Sequence, residues 1–420
     1  MLIKNALIRN STFNLAGYVI PTLIAIPALG FIARALGPEL FGIYTLAMAL
    51  VGYASIFDFG LTRAIIREIA LYKDDQHEKN RIISTSTLFL AGISVFLSLL
   101  IYFKIDTVIA FINVSDSYKV DAKHALEILL FAIPLFILNQ LWVSILEGEE
   151  KFGVLNIQKT ISNTFIVGLP AVLVYYNVSL VSAVSGLIAG RFISFVISFL
   201  VLRKDIVAAG LAFHPKVFKR LVYFGGWMTV SNIISPMMVY FDRFIISYIL
   251  GAKNVGYYTA PAEIISRMSI VPTSISRAVF PRLSGLSDIA KFKKELKFSY
   301  LIMALICIPL VAFCLIFSGK IMYYWLGPQY FIKSSEIFFI LLTGFLFNSL
   351  AQIPFSAIQS LGKSKITALL HCAEVIPYFL VLYALTSHYG LIGTAYAWSI
   401  RVIIDFFALF FISAMLNKRH

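Results

Sequence analysis

Ionisable side chains inside long apolar stretches are the residues of this sequence with the clearest chemical potential. Seven of them are basic, namely Arg63, Lys159, Arg191, Arg243, Arg267, Arg277 and Arg401. Five are acidic, namely Asp58, Asp242, Glu263, Glu374 and Asp405. A charged group at the centre of a bilayer costs about 2.5–3.5 kcal/mol on insertion scales, so such groups usually face a bundle interior or an aqueous cavity. These twelve side chains are therefore the candidate site.

The basic members of the set favour an anionic ligand. Six of the seven are arginine, whose planar guanidinium stays charged and binds phosphate through paired hydrogen bonds. A cavity bordered by arginine suits a phosphate-bearing substrate better than a cationic drug. Arg63, Arg191 and Arg277 have no obvious acidic neighbour along the chain, which makes them the stronger substrate candidates.

Pairing within one helix is the alternative interpretation for some of these charges. Glu263 precedes Arg267 by four residues, and Arg401 precedes Asp405 by four. Residues at this spacing lie on the same helix face and can form ion pairs. The sequence leaves both interpretations open for these two pairs.

The surroundings of the charged residues are those of a membrane protein. Of the 420 residues, 60% are hydrophobic and 13% are charged, whereas soluble domains hold roughly 45–50% apolar and about 25% charged residues. A soluble enzyme is therefore excluded. Since a spanning helix needs about 20 apolar residues, the sequence predicts an all-α polytopic membrane protein with twelve spans: 12–32, 41–66, 83–103, 126–146, 154–175, 180–202, 224–250, 255–279, 298–317, 337–358, 366–386 and 392–415.

Two glycines in the sixth predicted span indicate close helix packing. Gly186 and Gly190 are four residues apart and lie on one helix face. Small residues at this spacing let two membrane helices approach each other closely. We expect a packing role for both.

The net charge of +14 has a topological explanation. Connections on the same side as the N-terminus hold 21 Lys and Arg residues, and those on the other side hold seven: Arg34, Lys104, Lys119, Lys123, Lys253, Lys320 and Lys333. By the positive-inside rule, both termini are expected in the cytoplasm. The basic residues are then expected to contact membrane lipids, and no nucleic-acid partner is expected.

The two halves of the chain match each other at an offset of 214 residues. The offset aligns Leu36-Gly37 with Leu250-Gly251, Arg63-Ala64 with Arg277-Ala278, and Gly148 with Gly362; a shift of four then aligns Arg191 with Arg401. Six spans per half imply parallel repeats related by a pseudo-two-fold axis along the membrane normal, as in transporters built from two bundles. We expect an N-terminal six-helix bundle over 1–205 and a C-terminal six-helix bundle over 206–420.

Short motifs in both halves point to a known family. In the first half they are Arg9-Asn10-Ser11, Ala35-Leu36-Gly37-Pro38, Phe41-Gly42-Ile43-Tyr44 and Asp58-Phe59-Gly60-Leu61. In the second half they are Asp242-Arg243-Phe244-Ile245-Ile246, Leu250-Gly251, Gly256-Tyr257-Tyr258 and Phe280-Pro281-Arg282-Leu283. With its length and span number, the chain resembles the polysaccharide-exporter family of the multidrug/oligosaccharidyl-lipid/polysaccharide (MOP) superfamily, most closely the bacterial O-antigen unit flippases (Wzx).

The resemblance implies a flippase of the bacterial inner membrane. Its substrate would be an oligosaccharide unit linked to undecaprenyl pyrophosphate, moved by alternating access for the synthesis of O-antigen or another surface polysaccharide. Other polysaccharide-assembly proteins would be its partners. A cationic lumen is also implied, in which Arg63, Arg243, Arg267 and Arg277 are plausible contacts for the head of the substrate.

Coupling to an ion gradient is a further implication of the resemblance. The coupling ion would be H⁺ or Na⁺, and the five carboxylates of the candidate site are the residues that could bind it. No other cofactor and no metal centre is expected.

Two other functions remain open at this point. A drug or cation antiporter of the MATE type would carry more acids than bases in its cavity, the reverse of the composition found here. A membrane-embedded polysaccharide polymerase or ligase usually presents a long external loop with catalytic groups, but the longest external segment, 104–125, offers one histidine. We therefore expect a transporter and no enzymatic activity.

Overall fold

The computed structural model describes residues 2–53, 60–286 and 288–419. Side chains are described for 20–53, 60–225, 238, 240–286 and 288–416. Within these ranges the chain is helical apart from short connections, and there is no β-strand.

Fourteen α-helices are present in the described part of the chain. They are α1 (Leu2–Tyr53), α2 (Leu61–Leu71), α3 (Gln76–Phe103), α4 (Ile105–Phe111), α5 (Lys119–Leu129), α6 (Ala132–Gly148), α7 (Phe152–Tyr176), α8 (Leu180–Ala209), α9 (Pro215–Leu250), α10 (Ala252–Met268), α11 (Ile270–Ser284), α12 (Ile289–Leu326), α13 (Pro328–Ser360) and α14 (Ser364–Arg419). A short 3-10 helix, Asp116–Tyr118, precedes α5.

The predicted spans fall on these helices. Among the residues that the structure describes, eight helical segments are long and apolar enough to cross a membrane: Ile20–Tyr53, Gln76–Phe103, Asp116–Gly148, Phe152–Tyr176, Leu180–Ala209, Ile289–Leu326, Pro328–Ser360 and Ser364–Leu416. The first and last of these each contain a glycine with non-helical backbone angles that separates two predicted spans. The seventh predicted span lies in α9 and the eighth in α10 and α11. The second runs from α1 into α2 across 54–59, which lie outside the described residues. The all-α polytopic fold is confirmed.

Polar side chains fix the starts of several helices. The Asp75 carboxylate accepts hydrogen bonds from the backbone N–H groups of His77 and Glu78, both at 3.0 Å, where α3 begins. Asp288 does the same for α12, and the Ser179 hydroxyl accepts the N–H of Ser182 at the start of α8. These caps satisfy donors that the first helical turn leaves unpaired.

The chain divides into two compact units. The first comprises Met1–Phe241 with Gly251–Lys253, and the second comprises Asp242–Leu250 with Asn254–His420. The 214-residue offset found in the sequence also recurs in the backbone. Gly37 (φ 75°) aligns with Gly251 (φ 88°), and Asn113 (φ 49°) aligns with Gly327 (φ 90°), so left-handed residues end corresponding helices in both repeats.

In the first unit, α7 and α8 pack with their backbones in close contact. A Cβ atom on Gly186 would lie 2.5 Å from Cα of Pro170, and one on Gly190 would lie 2.6 Å from Cα of Ile166. No larger residue fits at either position without moving a helix. The packing role predicted for these glycines is confirmed.

In the second unit, α14 folds back on itself at Gly390. This glycine has φ 62° and ψ −140°, a conformation that side-chain-bearing residues rarely adopt. The Thr386 and Thr394 hydroxyls lie 2.9 Å apart across the turn, and a Cβ atom on Gly393 would overlap the Leu385 carbonyl. The two arms of α14, before and after Gly390, therefore form an antiparallel hairpin.

Candidate functional site

Arg191 is a buried cation of the first unit, on α8. Its guanidinium carbon lies 4.6 Å from the centre of the Phe136 ring on α6. The Nε donor is buried without a hydrogen-bond partner, and no carboxylate of the described residues lies within ion-pair distance of this side chain. A ring offers partial compensation for a cation, but it leaves the charge available to an anion.

Lys159 lies on α7 beside a chain of neutral polar groups. It is half-buried and forms no ion pair with the described residues. Its neighbour Gln158 is buried and donates to Ser198 at 2.7 Å, and the Ser198 hydroxyl in turn donates to Asn139 at 2.6 Å. This network joins α6, α7 and α8 and brings no acidic group to Lys159.

Arg63 and Arg277, which the repeat aligns, both lie at exposed positions. Arg63 is on α2 and Arg277 is on α11. Neither forms an ion pair with a residue in the part of the chain that the structure describes. Asp58 lies outside the described residues.

In the second unit, Arg243 has an acidic partner. Its NH2 atom lies 2.8 Å from Oε1 of Glu263, which is on α10, and its backbone N–H donates to Oδ1 of Asp242 at 2.7 Å. The hydroxyl of Tyr258 donates to the other Asp242 oxygen at 2.7 Å. The residues next to Arg243 in the sequence did not indicate its pairing with Glu263, because the two partners lie on different helices, α9 and α10.

The two pairs at four-residue spacing have different outcomes. NH2 of Arg267 lies 3.8 Å from Oε2 of Glu263, so this pair exists at the limit of contact and Glu263 is shared with Arg243. Arg401 points its guanidinium at the Tyr378 ring, at 5.4 Å. The ion-pair partner that the structure gives Asp405 is His371, at 3.5 Å, rather than Arg401.

His371, Glu374, Arg401 and Asp405 come together between the two arms of α14. His371 also stacks on Phe355 of α13, with ring centres 5.7 Å apart and planes at 7°. The Glu374 carboxylate oxygens are buried beside the carboxyl of Asp405, whose Oδ1 lies 3.5 Å from Nε2 of His371. From the sequence, His371 near Glu374 is interpreted as a polar contact between helices rather than a proton relay, and the structure gives it Asp405 as its partner.

Sequence reasoning also missed ion pairs that join α2, α3 and the start of α9. Glu68 is 1% exposed and contacts NH1 of Arg67 at 2.9 Å and Nε of Arg220. NH2 of Arg220 lies 2.8 Å from Oε1 of Glu78. No local spacing relates these positions, so only the general expectation of paired buried charges could have anticipated them.

Glu149, which follows the end of α6, forms ion pairs with two lysines. Nζ of Lys151 lies 2.6 Å from its Oε2, and Lys79 contacts its Oε1. Burial of the carboxylate works against ionisation, but hydrogen bonds from Lys151 and Lys79 outweigh it and hold the pKa of Glu149 below its usual value. These contacts stabilise the connection between α6 and α7.

The two units thus carry their charges differently. The candidate cations of the first unit, Arg63, Lys159 and Arg191, have no described acidic partner. Of those in the second unit, Arg243, Arg267 and Arg401 lie near the carboxylates Asp242, Glu263, Glu374 and Asp405, whereas the exposed Arg277 forms no ion pair with described residues. An anion can be bound with charge compensation in the first unit, whereas the second resembles an internally paired network.

Comparison with known proteins finds a relative with high sequence identity and solved structures with a similar fold. A protein of Shigella flexneri named "Putative O-antigen transporter" is 55% identical over 400 residues, covering 95% of this chain and 96% of its own. The lipid II flippase MurJ in an inward closed conformation has a TM-score of 0.79 at 19% identity, covering 96% of this chain and 87% of its own. An inward-facing multidrug-resistance MATE transporter of the MOP superfamily has a TM-score of 0.76 at 17% identity, covering 97% and 98%.

This chain has the same fold as these two solved structures, which confirms the fold expected from the motifs. A model of the family described as "Polysaccharide biosynthesis protein" matches residues 7–287. Together with the 55% identical relative, this match establishes the family. The chain belongs to the polysaccharide biosynthesis protein family and is a multi-pass membrane protein with the fold of the MOP-superfamily transporters.

Proposed function

We propose that this protein is a flippase for lipid-linked oligosaccharides. It moves a repeat unit attached to undecaprenyl pyrophosphate across the bacterial inner membrane by alternating access, in the synthesis of O-antigen or a related surface polysaccharide. The name of the 55% identical relative supports a role in O-antigen transport. Both termini are proposed to lie in the cytoplasm, from the distribution of basic residues.

The setting of Arg191 is the observation that carries the proposal. A guanidinium inside a membrane span is stabilised by an opposite charge. Among the described residues, Arg191 has the Phe136 ring and the phenols of Tyr44 and Tyr240 near it, and none of these is a carboxylate. The unpartnered Nε donor is oriented by a packed helix and needs an acceptor. A pyrophosphate group supplies both negative charge and acceptor oxygens, and the paired donors of arginine match its geometry.

The other basic candidates contribute to anion binding to different extents in this proposal. Lys159 adds positive charge to the same unit, and two exposed arginines, Arg63 near the start of α2 and Arg277 in the middle of α11, attract the head. Arg243, Arg267 and Arg401 are closer to acidic groups and contribute less to the binding of an anion. The bundles over 1–205 and 206–420 are proposed as the parts that move.

The test is translocation of a lipid-linked oligosaccharide by purified protein in proteoliposomes. We expect Arg191→Gln to lower the initial rate by about 10- to 100-fold, the loss expected when a charged group loses its hydrogen bonds. Arg191→Lys keeps the charge but loses the paired donors, so we expect an intermediate rate. Equal rates for wild type and both variants would contradict the role of this residue.

Arg203→Gln is the matched control for this experiment. Arg203 lies on the same helix, at an exposed position near its end. The same substitution there removes one positive charge without touching the candidate site, so we expect the wild-type rate. A parallel assay with cationic dyes tests the antiporter alternative, for which dye transport without lipid translocation would replace the present proposal.

A further inference from the structure

The start of α12 has a dense group of lysines. Four of the seven residues over 291–297 are lysine, and all four are exposed: Lys291, Lys293, Lys294 and Lys297, the lysine cluster. Over 282–297 the chain has five basic and two acidic residues, so three positive charges are in excess. Basic clusters of this size next to a spanning helix attract anionic groups at a membrane surface.

The two acidic residues of this stretch have other partners. Asp288 caps α12, where its Oδ1 accepts the backbone N–H of Ala290 at 2.8 Å. Oε1 of Glu295 lies 3.2 Å from NH1 of Arg282. The lysine cluster forms no ion pair with a described residue, and of the 21 acidic residues of the chain only Asp58 lies outside the described part. The positive charge of the cluster is therefore open to a partner from outside the chain.

Many basic residues of the first unit are arranged differently. Six of them form seven ion pairs with carboxylates: Arg67, Lys73, Lys79, Arg81, Lys151 and Arg220. Elsewhere in the described residues, exposed lysines without an ion pair occur singly or in twos, such as Lys216 and Lys219 on α9. The lysine cluster differs from the first group by its lack of counter-charge and from the second by its number of charges.

Packing fixes the direction in which the lysine cluster faces. Phe292 is 5% exposed and packs in a core cluster with Leu283 of α11. At 3.6 residues per turn, the opposite side of α12 presents Lys294 and Lys297. Exposed apolar residues continue this side at steps of three or four, as an apolar stripe: Phe298, Leu301, Leu305 and Ile308. Because Ile289–Leu326 is long and apolar enough to cross a membrane, lipid covers the stripe, and the lysine cluster extends beyond its end.

The lysine cluster lies at the depth of lipid headgroups. The predicted span over 298–317 corresponds to about 30 Å of helix, the thickness of the hydrocarbon core. Lys297 directly precedes this span, and Lys291 lies about 9 Å further along the helix axis. The headgroup region adds about 5–8 Å on each side of the core, and lysine side chains extend along apolar surface to reach it.

We propose that the lysine cluster and the apolar stripe of α12 form a binding surface for an anionic phospholipid of the bilayer. The phosphate headgroup supplies the negative charge that the chain does not, and the acyl chains cover the stripe. An acidic protein segment would match the lysine cluster but not the stripe that continues it. The proposal goes beyond the flippase function and does not depend on it.

The test is a lipid titration of the delipidated full-length protein in detergent, with bound lipid counted by native mass spectrometry. We expect wild type to bind phosphatidylglycerol more tightly than zwitterionic phosphatidylethanolamine by about 10-fold or more, since each lysine at a membrane surface contributes roughly fivefold. Equal binding of the two lipids would overturn the proposal. No transport is measured, so this failure would leave the flippase proposal untouched.

A triple variant assigns the binding to the lysine cluster. We expect Lys291→Gln, Lys294→Gln and Lys297→Gln together to lower the affinity for phosphatidylglycerol by about 10- to 100-fold. Arginine at the same three positions keeps the charge, so this variant should bind like wild type. Wild-type affinity in the glutamine variant would overturn the assignment.

The matched control removes three lysines that already have a counter-charge. Lys73, Lys119 and Lys123 are exposed or half-buried, and each forms an ion pair with a carboxylate. Replacing all three with glutamine changes the net charge by the same amount, and we expect the affinity for phosphatidylglycerol of wild type. An equal loss of affinity in both triple variants would show that net charge, and not the lysine cluster, governs binding, and would overturn the proposal.

Two measurements on wild type cover the case in which a variant does not fold. Raising ammonium acetate from about 0.1 to 1 M should weaken phosphatidylglycerol binding, because the screening length falls from about 10 to 3 Å. An equimolar amount of lipid-linked oligosaccharide should leave the bound phosphatidylglycerol in place. Binding that is insensitive to salt, or displacement of phosphatidylglycerol by the oligosaccharide lipid, would overturn the proposal.

Discussion

Buried arginines are accommodated in two ways in this protein. Arg243 pairs with Glu263 across two helices, whereas Arg191 rests on the ring of Phe136 without a described carboxylate. The first arrangement balances charge internally, and the second leaves a positive charge for a ligand. The residue type alone does not distinguish them, and the partner decides which role an arginine has.

Glu149 gives a pH-dependent prediction at the residue scale. Its pKa is lower in the folded protein than in the unfolded chain, despite burial, because of Lys151 and Lys79. Ionised Glu149 therefore stabilises the folded protein fully at pH values above its pKa in the unfolded chain, about 4.3. This stabilisation is lost as the pH falls through its lower pKa in the folded protein. We expect the unfolding temperature in detergent to fall more steeply below about pH 4 for wild type than for Glu149→Gln. Parallel curves for the two proteins would contradict this account.

At the scale of elements, the contact between α7 and α8 depends on glycine. A methyl group at position 190 would lie 2.6 Å from a backbone atom of α7, so the helices must separate. We expect Gly190→Ala to lower the free energy of unfolding by about 1–3 kcal/mol, a typical cost of overpacking. Thermal unfolding in detergent measures this loss of stability.

Gly92→Ala is the control for this substitution. A Cβ atom on Gly92, within α3, meets nothing within 4 Å. Alanine is favoured over glycine inside a helix, so we expect an unchanged or slightly raised unfolding temperature. Equal destabilisation by both substitutions would show that the α7–α8 contact is not the cause.

Hydropathy predicted the spans but not the interruptions within them. The sequence suggests one continuous span over 126–146, whereas α5 ends at Leu129 and α6 begins at Ala132. Pro134 has no N–H to donate to the Leu130 carbonyl, and Ser98 donates to that carbonyl at 3.0 Å instead. The second half has Asn348 at the matching position, and α13 runs through without a break.

The candidate site shows a similar division between what sequence could and could not predict. Charged residues in apolar runs were identifiable one by one, because hydropathy is a local property. The Arg243–Glu263 and His371–Asp405 contacts were not, since each depends on how separate helices or helix arms pack. Asp58 lies outside the described residues, and its role stays a prediction.

For the whole molecule, the main feature is a repeat whose halves share backbone but differ in charge. Left-handed residues recur at matching positions, Gly37 with Gly251 and Asn113 with Gly327. Arg191 and Arg401 also match, and each faces an aromatic ring. At the positions matched by the repeat, the second half has His371, Glu374 and Asp405 where the first half has Ile157, Thr160 and Phe195.

The sidedness of lipid-linked oligosaccharide in cells tests the central claim most directly. Deletion of the gene should cause the intact lipid-linked repeat unit to accumulate in the cytoplasmic leaflet, and the wild-type gene should restore its passage to the outer leaflet. A polymerase or ligase would instead leave the unit accumulating on the outer face. Accumulation on that outer face, or an unchanged distribution after deletion, would contradict the account.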